Sequence, residues 1–468
     1  MKISKLSPKT QNLIGCGVLL LLILAVGGGY VGWKIYSFFS QVSRYTRSRE
    51  IPDELREPRI LKGEGFLTKT EIFKLTQDGF RKTIEKGIAA RDEKEKQKVI
   101  SNSTSKGVFG FDDLQVCGDE IVAAGKFGAE VLDLNGNFRR EILFEPTLTK
   151  IKIGWYEQNQ YKAALDNLQI VDLDGDGRCE FFSHGYTEGV TAYNNEGNII
   201  WKYGGENEDF LLEEKDIEKA VYVTEATAGD LDGDRIAEYI VGRRNDGIRA
   251  FDKDGNEKWF QPDEFPTGTM RVVDLDGDGR NELLELGSHT TIRDAVTGSV
   301  VRELKGGNSN AALIFTEDKN KKKALQFIDV SDNKLTCFDE TGKKFIEAEA
   351  PLSDVKIKMP PQPPATPIDL GNGMRAEPMS EAYGDSESVY QPKAVWVALR
   401  RDKPKYLAVV ASFIGIPRAH LYVYAPDGTL VYQELLPEDA ETLAAIPANQ
   451  SEEIVIGGKE TIWKFTAN

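Results

Sequence analysis

A tight hairpin built on glycine recurs through most of this chain, and the recurrence fixes the fold class. The turn glycines are Gly136, Gly197, Gly255, Gly298, Gly342 and Gly428, often preceded by Asp or Asn and flanked by alternating apolar residues. Such turns need positive φ, which glycine adopts without a steric penalty, so each marks two paired strands. Two more short apolar segments lie upstream, such as 167–172 and 180–184 before Gly197. Gly255 to Gly298 is 43 residues and Gly298 to Gly342 is 44. Four short strands per ~43 residues is the period of a β-propeller blade.

The expected fold is therefore all-β, a propeller of about seven blades over 106–468. Blades fall at roughly 113–143, 168–203, 225–260, 269–304, 311–348 and 395–435. Three further strands, 442–447, 452–458 and 461–465, make an incomplete seventh. Six or eight blades stay open at this point, because short strands are hard to count. Closing the ring removes both open edges and needs a strand from upstream, near Val108 to Phe111 or within 60–67. Two insertions interrupt the period. Residues 206–220 are acidic and read as a helical excursion, and 351–392 form a Pro-rich loop.

Three blades carry the same acidic loop between their first and second strands. The loops are Asp172-Leu-Asp174-Gly-Asp176-Gly-Arg178-Cys-Glu180, Asp230-Leu-Asp232-Gly-Asp234-Arg-Ile236-Ala-Glu238 and Asp274-Leu-Asp276-Gly-Asp278-Gly-Arg280-Asn-Glu282. Positions 1, 3 and 5 bring carboxylates into one tight loop. Position 7 (Arg178, Ile236 or Arg280) offers a backbone carbonyl, and the acid at position 9 closes the shell. An all-oxygen set of this kind suits Ca²⁺ rather than Zn²⁺ or Cu²⁺, with two to three sites expected. Position 12 is Ser183, Val241 and Glu285, so an EF-hand is excluded for two of the three. Two carboxylates ~5 Å apart repel by about 3 kcal/mol at an effective dielectric near 20, so a bound cation is expected. Arg235 stands where the other loops have glycine at position 6, and costs about 1 kcal/mol if its φ is positive.

The D-x-D-G-D-G-x-x-E loops between first and second strands resemble the FG-GAP/VCBS repeats of integrin-α-type propellers. The resemblance covers about 110–468 and is strongest in the three acidic blades. It implies that calcium braces the rim of the ring and that the protein binds another protein or a glycan. It also implies that the fifteen loop positions named above are the calcium ligands, Arg178 through its carbonyl.

Leu13 to Trp33 is a run of 21 residues without charge. At 1.5 Å per residue it reaches about 31 Å, enough to cross a bilayer's hydrocarbon core. Trp33 and Tyr36 fall where an interfacial aromatic belt belongs. The reading is a single-pass anchor within residues 1–40, with the large domain outside the cytoplasm; a cleaved signal peptide is the alternative. Residues 41–105 read as a partly helical stalk, with Ile72, Phe73, Leu75, Phe80 and Ile84 at near-helical spacing.

Composition narrows the function. Acids outnumber bases 75 to 59, a net charge of −16, which disfavours nucleic acid as a partner. Four Cys without a C-x-x-C pair exclude a disulfide-framework fold and the common zinc modules. Three His, and no H-E-x-x-H, G-x-S-x-G or P-loop, leave no named catalytic residue. His184 and His289 read as polar turn residues, and Trp201 and Trp259 as core or interblade packing residues. The expectation is a membrane-anchored, calcium-stabilised propeller that binds a protein or glycan. A propeller enzyme, a polysaccharide lyase or quinoprotein-like, is the alternative.

Overall fold

The computed structural model describes residues 57–75, 111–145, 147–153, 156–162, 167–185, 189–204, 222–244, 246–263, 269–275, 278, 280–286, 290–304, 312–317, 323–331, 334–350, 368–371, 374–376, 389–401, 403–413, 418–448 and 451–468. The chain divides into two units, one of 57–354 with 387–468 and the other of 1–56 with 355–386.

The first unit is a seven-bladed β-propeller of antiparallel sheets. Blade 1 runs Asp113–Cys117, Glu120–Gly125, Gly128–Asp133 and Phe138–Leu143. Blade 2 follows as Leu168–Val171, Glu180–Gly185, Gly189–Tyr193 and Ile199–Tyr203, and blade 3 as Val223–Gly229, Glu238–Arg243, Asp246–Phe251 and Glu257–Asp263. Blade 4 comprises Thr269–Val273, Glu282–Leu286, Thr290–Asp294 and Val300–Leu304, and blade 5 Ala312–Glu317, Lys323–Ser331, Lys334–Asp339 and Lys344–Glu349. Blade 6 is Val389–Val397, Tyr406–Phe413, Ala419–Tyr424 and Leu430–Leu435, and blade 7 begins Ala440–Pro447, Glu452–Gly458 and Thr461–Ala467.

First strands of neighbouring blades meet at the centre, and burial follows the strand's place in the blade. Second and third strands lie between two neighbouring sheets, so both faces are buried; all six residues of Glu180–Gly185 and of Ala419–Tyr424 are buried. Fourth strands face outward, and Val300–Leu304 is exposed except for Leu304. The core lies between the blades. Phe144 packs on Phe181 and Tyr193 between blades 1 and 2, and Trp201 stacks on Tyr239 at 4.3 Å between blades 2 and 3. Trp259 is buried against blade 4 and donates to the Ala295 carbonyl at 2.8 Å. Leu284 and Phe327 join blades 4 and 5. Trp396 donates to Gln326 (2.7 Å) and the Tyr424 hydroxyl to the Glu349 carbonyl (3.0 Å) between blades 5 and 6. Of the two packing roles open to the tryptophans of the repeat, Trp201 and Trp259 thus take the interblade one.

All six turn glycines have positive φ, from +72° to +87°. The turns also lap onto the preceding blade. A Cβ on Gly255 would lie 2.6 Å from Trp201 Nε1, and one on Gly298 2.6 Å from the Trp259 ring.

The ring closes through the N-terminal part of the unit, which corrects the stalk reading. Thr68 to Lys74 is not the start of a helix: Leu67–Lys74 is the fourth strand of blade 7 and pairs with Thr461–Ala467, Leu67 opposite Ala467. Arg59–Lys62 adds a fifth strand to blade 6 against Leu430–Leu435. The propeller therefore starts near residue 57 rather than 106. Lys69 forms an ion pair with the buried Glu434, tying the closing strand to blade 6 as well. The charged sequence of 67–74 suits an outer strand, whose exposed face needs no apolar residues. Phe111, the other closing candidate, is buried but not in a strand.

Two hairpins were not expected from the sequence: Thr147–Ile153 with Tyr156–Lys162, and Ile368–Gly371 with Met374–Ala376 inside the Pro-rich insertion. No helix occurs among the described residues, and none there is long and apolar enough to cross a membrane. The run 13–33, residues 76–110, residues 206–220 and His289 lie outside the described residues.

Candidate metal centre

Each acidic loop leaves the inner strand of its blade and ends where the second strand begins with glutamate. In loop 172–180 the acids are organised by backbone amides. Asp172 accepts from Gly175 N at 2.7 Å and Gly177 N at 3.0 Å, Asp174 from Asp176 N at 3.1 Å, and Asp176 from Arg178 N at 2.7 Å. Glu180 is only 3% exposed, and its Oε2 accepts from Leu173 N at 2.8 Å. That bond ties position 9 back to position 2, whose leucine side chain is buried in the core.

The other oxygen, Glu180 Oε1, is buried without a hydrogen-bond partner. A carboxylate oxygen from each of Asp172, Asp174 and Glu180 lies within 4.8 Å of the others. Burial pushes the Glu180 carboxyl up to about 7; the Leu173 amide opposes this, and Asp174, Asp176 and Asp172 reinforce it. An unpaired buried carboxylate oxygen costs about 1–3 kcal/mol or more, a penalty that a cation would remove. The residues fit a hard, oxygen-liganded ion.

Loop 230–238 repeats this hydrogen-bond scaffold, but the carboxylates that converge within 4.8 Å are those of Asp230, Asp232 and Asp234, and a lysine joins them. Asp230 accepts from Gly233 N (2.7 Å) and Arg235 N (2.9 Å), Asp234 from Ile236 N (2.7 Å), and Glu238 from Leu231 N (2.8 Å). Here Lys258 Nζ lies 2.8 Å from Asp232 Oδ2 and 2.6 Å from Glu238 Oε1. Lys258 holds the Asp232 carboxyl below its ordinary value; burial raises that of Glu238, and the lysine offsets part of the rise. Arg235 has φ +74°, the left-handed conformation that the glycine pattern of the other loops implies.

In loop 274–282 Glu282 again accepts from the amide of position 2, Leu275 N, at 2.9 Å, and Asp278 from Arg280 N at 2.7 Å. Asp274 stands at the loop's start, and Asp276 lies outside the described residues.

The loops also bind neighbouring blades. A disulfide joins Cys117, at the end of blade 1's inner strand, to Cys179 within loop 172–180, with Cα atoms 5.8 Å apart. The Leu173 carbonyl accepts from Ala237 N at 2.9 Å, the Asp230 carbonyl from Asn281 Nδ2, and the Leu275 carbonyl from Lys323 N at 2.9 Å. Gly175 packs so closely that a Cβ would sit 2.4 Å from the Arg235 carbonyl oxygen. Loop by loop, blades 1 to 5 are clasped to one another.

Sequence reading found the loop carboxylates but missed three participants. Leucine at position 2 of all three loops was a visible signal for the amide that anchors position 9. The cysteine pair, 62 residues apart, becomes a pair only when neighbouring blades are placed side by side. Lys258 sits in a hairpin three residues past a turn glycine, with nothing local to link it to a loop 20 residues upstream. His184 is not a polar turn residue; it is buried within the second strand of blade 2, with Nε2 3.3 Å from Glu225. The remaining free cysteine among the described residues, Cys337, is buried, and burial pushes its thiol up to about 12, which makes it an unreactive core residue.

A scan against protein-family models returned no match, and a search of curated protein sequences returned none either. Among solved structures the chain is similar to BBS1N in complex with ARL6DN, soaked with lead. The TM-score is 0.44 at 10% identity, over 78% of this chain and 95% of that one. The same complex soaked with mercury gives 0.44 at 9% identity, over 77% and 93%. The computationally designed Ika8 protein gives 0.39 at 11% identity, over 77% and 97%.

Proposed function

We propose that this chain is a membrane-anchored propeller of the FG-GAP/VCBS kind, braced by calcium, that holds a protein or glycan ligand outside the cytoplasm. The observation that carries the proposal is Glu180: its buried, unpartnered Oε1 converges with Asp172 and Asp174 in a loop otherwise preorganised by its own amides. Calcium bound there would offset half of the formal charge of the loop's four acids, a structural contribution rather than a reaction. Asp172, Asp174, Asp176 and Glu180 hold the ion, and the disulfide and the Leu173–Ala237 bond pass the loop's order to blades 1 and 3. Asp274, Asp276, Asp278 and Glu282 form the second site on the same pattern.

The Cys117–Cys179 disulfide supports the location, since disulfides persist in oxidising compartments outside the cytoplasm. The uncharged run 13–33 supplies the anchor.

The test is differential scanning of the detergent-extracted chain in calcium and in chelator, joined to labelling of intact cells. Calcium raises the melting temperature, and an impermeant maleimide labels Lys343→Cys, an exposed position, without lysis. Equal melting curves would reject the metal, and labelling only after lysis would reject the orientation.

A further inference from the structure

Loop 230–238 differs from its neighbours in what neutralises it. In the fourth strands of blades 1, 2 and 3 one residue bulges out of the pairing with the third strand. It is Arg139 in blade 1, Ile200 in blade 2 and Lys258 in blade 3. Where this residue is basic, it reaches the glutamate that begins the second strand of its own blade. Arg139 lies 3.1 Å from Glu120 and 2.7 Å from Asp119, and Lys258 lies 2.6 Å from Glu238 and 2.8 Å from Asp232. Two blades thus place a side-chain cation at the same spot. Ile200, 49% exposed, brings no charge to it, and there the corresponding oxygen, Glu180 Oε1, has no partner.

We infer that Lys258 is the resident cation of loop 230–238 and that this loop, despite its matching carboxylates, takes no divalent ion. The ammonium already holds two of the oxygens that would bind a metal, one of them on the buried Glu238. Calcium needs six to eight oxygens at 2.3–2.6 Å, so it could enter only by expelling the lysine. The bulge residue decides which loops load: an aliphatic residue leaves the site to the metal, and a basic residue closes it. The inference rests on the calcium reading of loops 172–180 and 274–282 for the number of ions expected in the parent and for the Ile200→Lys variant.

Calcium per chain, measured by elemental analysis of the full-length protein in detergent after equilibration with saturating calcium, tests this. The parent is expected to hold two ions, Lys258→Met three and Ile200→Lys one. If Lys258→Met holds no more than the parent, the inference is overturned, whatever the parent's count. A parent without calcium beside a Lys258→Met variant with one ion would support the lysine's role and reject the calcium reading of the other loops. No calcium in either protein overturns both. Should Lys258→Met fail to fold, the surface change Ile200→Lys decides: loss of one ion supports the inference, and an unchanged count overturns it.

Discussion

Loops 172–180 and 230–238 have the same backbone plan: amides fold the aspartates inward, and a buried glutamate is bound to the amide of a buried leucine. Three of their differences stand out. The first has glycine at position 6, a disulfide at position 8 and no basic residue at the bulge; the second has Arg235, Ala237 and Lys258. The repeat therefore fixes the shape of a loop, while its charge balance is settled by a residue on another strand. Carboxylate spacing alone identifies a loop able to gather acids, without saying which cation gathers there.

The comparison can be broken most forcefully at the disulfide. Cys117→Ser with Cys179→Ser removes a cross-link between residues 62 apart, and chain-entropy arguments put the loss at about 4 kcal/mol. Urea unfolding at fixed calcium measures it, and a double variant as stable as the parent would show that loop 172–180 needs no tether.

A second effect must be separated from the loops before they are compared in acid. His420 is fully buried, and burial lowers its pKa from 6.5 to about 4. The unfolded chain then binds a proton that the folded chain refuses. Stability is full above pH 6.5 and falls as the pH drops toward 4, by about 3 kcal/mol in total. His420→Leu should flatten this acid limb in denaturant titrations; an unchanged limb would assign it to other groups.

Calcium comes next. Each loaded site adds RT ln(1 + [Ca²⁺]/Kd), about 2.7 kcal/mol at one hundred times Kd. Asp172→Ala should abolish one site's share of the calcium-induced rise in melting temperature, and Asp232→Ala should leave that rise intact. Equal losses in the two variants would mean that both loops bind the ion.

The smallest effect is conformational. Arg235 and Gly177 occupy equivalent positions with φ of +74° and +84°. Arg235→Gly should stabilise the fold by about 1 kcal/mol, and Gly177→Arg should destabilise it by a similar amount. Calorimetry in chelator reads both without interference from the metal.

The blades were legible because their turns demand a rare conformation. Positive φ at six spaced glycines leaves little choice but hairpins, and the apolar second and third strands show burial on both faces. The acids of the loops were legible for the same local reason. What escaped lies on the outer strands or between blades. Leu67–Lys74 has one buried residue, Leu67, so its sequence carries almost no strand signal and its Ile and Phe fit a helical period equally well. Cys117 and Cys179, Lys258 and Asp232, and Lys69 and Glu434 are pairs made by folding, each distant along the chain. A repeat predicts its own geometry; it says little about the side chains that one strand lends to another.

The closing strand has a consequence in time. Leu67 finds Ala467, and Thr68 finds Asn468 400 residues further on. At synthesis rates of about 5–20 residues per second, some 20–80 seconds separate the appearance of the two edges. Throughout that interval six blades can form while Leu67–Lys74 has no partner. A strand edge left open this long is a template for pairing with other chains. The charged residues of 67–74, which hid it from sequence reading, are also what keeps it soluble while it waits.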